Sequence, residues 1–126
     1  ELWGYLSESE KRELLASARA LIYAAVNEDF GMVPIEAYAS GTPVIGVRDG
    51  FTQYQIQDDV SGVLFDRGVD ELSAAIEHFS TKGVEASSSD LRGMARDFGR
   101  ERFRDEIRDA VASAVKDASI ETAATL

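Results

Sequence analysis

Three short runs of uninterrupted apolar residues constrain this 126-residue chain more than any other feature. They are Ala20-Leu21-Ile22-Tyr23-Ala24-Ala25-Val26, Pro43-Val44-Ile45-Gly46-Val47 and Val63-Leu64-Phe65. Each is short for a buried helix and lacks the alternation of a strand with one wet face. Such runs suit strands covered on both faces. Stretches with helical spacing lie between them, and that alternation predicts an α/β fold, an open parallel sheet with helices on both faces. Leu2-Trp3-Gly4-Tyr5-Leu6 reads as a further short strand, which makes about four. Doubly wound sheets generally have more. The chain also opens on Glu1, without Met and directly on an apolar piece, so it reads as part of something longer.

The helices announce themselves by their ends. Ser7 with Glu10 three residues on has capping-box spacing, and predicts a helix to about Ser17–Arg19 with Leu14, Leu15, Ala16 and Ala18 on its apolar side. Met32 to Ser40 reads as a second helix. Pro34 falls in its first turn, where a missing N–H costs nothing, and Gly41 stops it with Pro43 just beyond. Thr52 to Gln57 suggests a short helix, and Asp58 to Gly62 a turn. Val69, Leu72, Ile76 and Phe79 recur as one helical face. Lys82 to Ser89 reads as a loop and Asp90 to Phe98 as a helix. A long helix follows, with Phe103, Ile107, Ala110, Val111 and Ala114 as its apolar stripe. Residues 119–126 are expected to fray.

Composition narrows the function. Acids number 23 and bases 13, a formal charge of -10, so the basic footprint of a nucleic-acid binder is missing. No apolar run reaches the ~18–20 residues of a membrane span. Cysteine is absent, which excludes disulfides and thiolate metal sites and suits a reducing cytoplasm. Only Lys11, Lys82 and Lys116 are lysines. A salt-rich cytoplasm and a GC-rich genome account for that bias equally well. His78, beside Glu77, is assigned to the surface, Trp3 and Phe103 to the core, and Ser87-Ser88-Ser89 to a loop.

The segment from Val26 to Gly46 carries the chemistry. A strand ends, a glycine turn follows, and a helix begins at the strand's carboxyl end. The N–H groups around Phe30 to Val33 then form an anion site at the helix start. Glu28 precedes that helix and Glu36 lies about one turn inside it. Two carboxylates beside a phosphate site are costly unless they accept hydrogen bonds. Sugar and ribose hydroxyls are suitable donors, so the arrangement predicts a nucleotide-sugar.

Glu28-Asp29-Phe30-Gly31-Met32-Val33-Pro34-Ile35-Glu36-Ala37, followed by Gly41-Thr42-Pro43-Val44-Ile45, resembles the E-x7-E signature of retaining GT-B glycosyltransferases of group 1. Leu2-Trp3-Gly4-Tyr5 resembles the family's F-x-G-x strand. Asp49-Gly50 and Ser61-Gly62-Val63-Leu64-Phe65 resemble its later glycine loop and G-x-L-F strand. The resemblance implies a Rossmann-like sheet in the C-terminal, donor-binding lobe of a GT-B fold over residues 1–118. It implies transfer of a hexose from a UDP- or GDP-sugar to a saccharide or lipid-linked acceptor, with no metal and no cofactor beyond that donor. Glu28 would bind hydroxyls of the transferred sugar beside the reacting carbon. The N–H groups of Phe30, Gly31 and Met32 would hold the sugar and the distal phosphate. Val33 would line the pocket, and Glu36 would accept from the ribose. The full protein would work in the cytoplasm or at the inner face of the membrane.

The departures also carry information. The family often has two glycines where Gly50 is followed by Phe51, and an acid in the region of Gln53 and Tyr54. Tyr38 stands where a smaller or thioether residue is common. The basic residues that grip the diphosphate, the early part of this lobe and the acceptor lobe are expected upstream. The chain alone is therefore expected to be inactive, and a non-catalytic nucleotide-sugar-binding or assembly module is the alternative. An unrelated dinucleotide-binding domain is disfavoured, since no G-x-G-x-x-G joins a strand to a helix. A truncated sheet leaves an open edge, so association with the absent lobe or with a second copy is expected.

Overall fold

The computed structural model describes the backbone of residues 2–124 and the side chains of residues 2–116. Within residues up to Arg96, one compact unit, the elements follow the sequence closely. α1 (Glu8–Ser17), β1 (Leu21–Tyr23), α2 (Met32–Ser40), β2 (Val44–Val47), α3 (Thr52–Gln55), β3 (Gly62–Phe65), α4 (Val69–Lys82) and α5 (Ser88–Arg96) form an α/β unit. The strands are all parallel in the order β1-β2-β3. Ile22 lies opposite Ile45, and Ile45 opposite Val63.

Alternation along the strands sorts the core into two layers. Leu21, Tyr23, Val44 and Leu64 face α1, α2 and α5, where Leu15, Ile35, Tyr38 and Leu91 are buried. Ile45, Val47, Val63 and Phe65 face α4 through Ala75, Leu72 and Phe79. Helices thus cover both faces, as the apolar runs require. β2 is buried at every position.

Several expectations give way. Residues 2–6 join no strand; Gly4 has φ 63°, and Leu2, Trp3 and Tyr5 are exposed. The described sheet therefore has three strands, and Trp3 is not a core residue. β1 is three residues long and lies at the sheet edge, so Ile22 is half-exposed and the run is not covered on both faces. In α4 the inward residues are Leu72, Ala75 and Phe79. Val69 sits in the first turn and is 80% exposed.

The caps are as expected. Ser7 accepts from the Glu10 N–H, and the Glu10 carboxylate accepts from the Ser7 N–H at 2.8 Å. That pairing holds the Glu10 carboxyl below the usual range, chiefly through the Ser7 hydroxyl. Gly41 closes α2 with φ 83°. Thr42 Oγ1 donates to the Leu15 carbonyl at 2.5 Å, tying the end of α1 to the entry of β2. Tyr38 is buried with its hydroxyl 2.8 Å from Ser61 Oγ. This gives the unusual tyrosine a partner in the turn before β3.

From Asp97 on, the chain is a second unit, built on α6 (Arg100–Ala124). Arg102 pairs with Asp97 and Glu106 along it. Within this unit Phe103, Ile107 and Val111 are exposed, so the unit gives Phe103 no core of its own. The expected frayed tail falls on positions whose side chains, and at 125 and 126 also the backbone, lie outside the described residues.

Candidate functional site

The site is assembled by loops at the carboxyl ends of neighbouring parallel strands, the place where open α/β sheets bind ligands. After β1, Asn27 turns the chain with φ 57°, and its N–H donates to Asp49 Oδ1 at 2.7 Å. The Glu28 carbonyl accepts from the Phe51 N–H at 2.9 Å. The β1–α2 loop is thereby fastened to the β2–α3 loop at two points. Arg67, just after β3, pairs with Asp49 and brings the third loop in.

Asp49 is held below the usual carboxylate range, first by the Asn27 N–H and then by Arg67. A carboxyl lowered in the folded state contributes stability that is complete above its unfolded value, ~3.9, and fades as pH falls through the lower folded value. Asp49→Asn is expected to destabilise the protein at neutral pH and to match it in strong acid. Denaturation curves for the two proteins over the acid range should converge; parallel curves would contradict the role.

Gly31 starts α2 with φ 73° and without a side-chain cap. A Cβ there would lie 3.0 Å from Glu28 Cγ and 3.1 Å from Tyr23 Oη. The Glu28 side chain is therefore packed over the Gly31 turn. Its Oε2 accepts from the Tyr23 hydroxyl at 2.9 Å. Burial, and then this carboxylate, push the Tyr23 phenol pKa up. The first turn of α2 contains no acid, so no carboxylate within it offsets the positive end of the helix dipole. Its N–H groups have no acceptor within the helix.

Glu36 lies elsewhere on α2. Ile35, Ala37 and Tyr38 face the core, while Met32, Val33 and Glu36 share the outer face at spacings of four and three. Met32 is 55% and Val33 39% exposed. Glu36 Oε1 accepts from Lys11 Nζ of α1 at 3.1 Å, and Lys11 also pairs with Glu8 at 3.2 Å. These bonds raise the Lys11 pKa, that from Glu36 most.

The structure thus brings Glu28, Phe30 and Gly31 together at one turn, and places Glu36 beside α1. Both carboxylates already accept from a protein donor, Tyr23 or Lys11, which the sequence reading did not foresee. A carboxylate has about four acceptor positions, so each retains capacity. Phe51 stacks on Phe30 with ring centroids 5.3 Å apart, and Tyr54 follows at 5.8 Å. A separate cavity of about 410 Å³ runs along β3 and α4, lined by Asp58, Glu71 and His78 among others. His78 there bonds Asp59 at 2.5 Å, joining α4 to the turn before β3.

The family model described as glycosyl transferases group 1 matches residues 1–101. The chain belongs to this family. The human alpha-1,3/1,6-mannosyltransferase ALG2 is 36% identical over 90 residues, which cover 71% of this chain and 22% of that protein. The D-inositol 3-phosphate glycosyltransferase of Corynebacterium kroppenstedtii is 40% identical over 65 residues, 49% of this chain and 14% of that one. Among solved structures, Anabaena Alr3699/HepE in complex with UDP superposes with a TM-score of 0.68 at 24% identity, covering 80% of this chain and 29% of that one. Sucrose-phosphate synthase from Thermosynechococcus elongatus gives 0.62 at 22%, covering 79% and 27%. These two likenesses establish the fold, that of the GT-B glycosyltransferases. The chain spans less than a third of each of these four proteins.

Proposed function

We propose that this chain supplies donor-site residues of a retaining group 1 glycosyltransferase, which moves a hexose from a nucleotide-diphosphate sugar to a saccharide or lipid-linked acceptor. The observation that carries this reading is the Glu28 side chain packed over Gly31 at the uncapped start of α2. The amides of Phe30, Gly31 and Met32 offer hydrogen bonds to the transferred sugar and the distal phosphate, with Val33 beside them. Glu28 binds sugar hydroxyls next to the reacting carbon. Glu36, oriented by Lys11, accepts from the ribose. The helix end stabilises the departing diphosphate without a metal. The relatives named as mannosyl- and inositol-phosphate glycosyltransferases support the reaction class, and the HepE complexes with UDP and UDP-glucose support the donor class.

A lipid-linked acceptor would place the reaction at the cytoplasmic face of a membrane. No helix among the described residues is long and apolar enough to cross one. The β1 edge, with Ile22 half-exposed, is where the rest of a longer protein or a second copy would pair. Sedimentation of the isolated chain should show self-association; a monomer at high concentration would argue against an edge open to copies.

The test of the donor reading is calorimetric titration of UDP, GDP and their hexose forms against the protein that carries this chain. One of them should bind, and Glu36→Ala should weaken it by ~1–3 kcal/mol, the penalty for unpaired ribose hydroxyls. No binding at millimolar concentration would end the reading. Turnover with donor and acceptor separates the enzyme from a non-catalytic binding module.

A further inference from the structure

The Gly31 turn is held from within by a residue that the signature does not include. Gln55, the last residue of α3, is 9% exposed. Its Nε2 donates to the Phe30 carbonyl at 2.7 Å and to the Gly31 carbonyl at 3.0 Å. A primary amide nitrogen has two hydrogens, and here they reach two successive carbonyls. The amide orientation is dictated by those acceptors, because a flipped Gln55 would set its oxygen against both. The remaining atom, Oε1, is buried and has no partner among the described residues. A buried acceptor left unpaired is unfavourable, so the side chain sits here for what its nitrogen does.

The consequence follows from the geometry of the peptide unit. In a trans peptide, the carbonyl of one residue and the N–H of the next point in opposite directions. Drawing the Phe30 carbonyl toward Gln55 turns the Gly31 N–H away from it. Drawing the Gly31 carbonyl inward does the same for Met32. Two of the three amides that the donor reading assigns to the sugar and the distal phosphate, those of Gly31 and Met32, are therefore aimed by one buried side chain.

We propose that Gln55 is a positioning residue for the donor diphosphate, presenting the Gly31 and Met32 amides through their partner carbonyls. The inference rests on the donor-site reading and adds to it a residue outside the E-x7-E segment. It makes a selective demand. Loss of the Gln55 amide should weaken contact with the distal phosphate and leave the nucleoside and proximal phosphate largely unaffected.

The experiment measures UDP, UMP, GDP and GMP binding to the protein that carries this chain, and to its Gln55→Glu and Gln55→Met variants. Both variants should lower diphosphate affinity roughly tenfold or more, about the loss of one or two hydrogen bonds to a charged group. Monophosphate affinity should change much less. In Gln55→Glu the diphosphate affinity, taken relative to the unsubstituted protein, should recover as pH falls, because a protonated carboxyl regains one donor. Folded variants that keep the full diphosphate preference would overturn the proposal while leaving the donor site intact. A parent protein that binds neither diphosphate would overturn the donor reading, and this proposal with it. A check independent of variants is amide hydrogen exchange in the unsubstituted protein. Added UDP or GDP, whichever binds, should protect Gly31 and Met32, and unchanged exchange at both would count as refutation.

Discussion

Glu28→Gln, made in the protein that carries this chain, is expected to lower sugar transfer by roughly 10²–10³-fold, the loss seen when one transition-state contact is removed. The substitution is nearly isosteric. The Tyr23 hydroxyl, now 2.9 Å from Oε2, still finds an acceptor in the amide oxygen. The backbone bond from Phe51 to the Glu28 carbonyl is untouched. Fold and nucleotide affinity should therefore persist. What disappears is the negative charge that the proposed function sets beside the carbon that becomes electron-poor as the diphosphate departs. On the proposed reading the α2 dipole would stabilise the leaving group, and the carboxylate what is left behind. Initial rates at saturating donor, set beside melting temperature and UDP or GDP affinity, separate these effects. A variant that turns over within a few-fold of the parent would remove Glu28 from the chemistry. A variant that loses nucleotide affinity as well would assign it to binding alone.

How far this site was legible depended on which residues speak through their neighbours in sequence. Glu28, Gly31 and Glu36 lie in one strand–turn–helix segment, so their spacing carries the geometry directly. β2 was legible because a central strand is covered on both faces and reads as a continuous apolar run. β1 has the same kind of run but an edge position, and no property of Ala20 to Val26 records which neighbours the strand will have. Leu2 to Leu6 failed for a related reason: apolar residues become a strand only where a partner edge receives them, and Gly4 turns the chain at φ 63°. Lys11, Tyr23 and Gln55 were not legible as site residues. Lys11 reads as an ordinary helix lysine, Tyr23 as part of a buried strand, and Gln55 as a polar residue on a short helix. Each acquires its role from a contact that only the tertiary fold creates, with Glu36, Glu28 and the Phe30–Gly31 carbonyls respectively. The family resemblance marked Asp49-Gly50 as a glycine loop. The structure supplies the reason, which is the close approach of that loop to Glu28.

Gly50→Ala should be the most damaging single-methyl change near the site. Gly50 has φ 49°, and a Cβ on it would lie 2.5 Å from the Glu28 carbonyl oxygen and 2.9 Å from the Glu28 nitrogen. Both are backbone atoms, so no side-chain rotation relieves the clash. The two loops must separate by about an ångström to reach ordinary contact. That movement stretches the Phe51-to-Glu28 bond and the Asn27-to-Asp49 bond, which are the tethers that place Glu28. Overpacking together with left-handed strain should cost ~2–4 kcal/mol of stability. The effect on transfer should go further, because an ångström of misplacement at a reacting group is worth roughly 10²-fold. Gly83→Ala is the control for backbone strain alone, with φ 70° and ψ -149°. No atom lies within 4 Å of its added Cβ, so it bears the backbone strain without the clash. Chemical denaturation and kcat for the two variants distinguish the terms. If Gly83→Ala and Gly50→Ala lose equal stability and equal activity, the close approach of the loops does not position Glu28. If Gly50→Ala alone loses transfer while nucleotide affinity falls much less, the β2–α3 loop is what keeps the carboxylate over its turn.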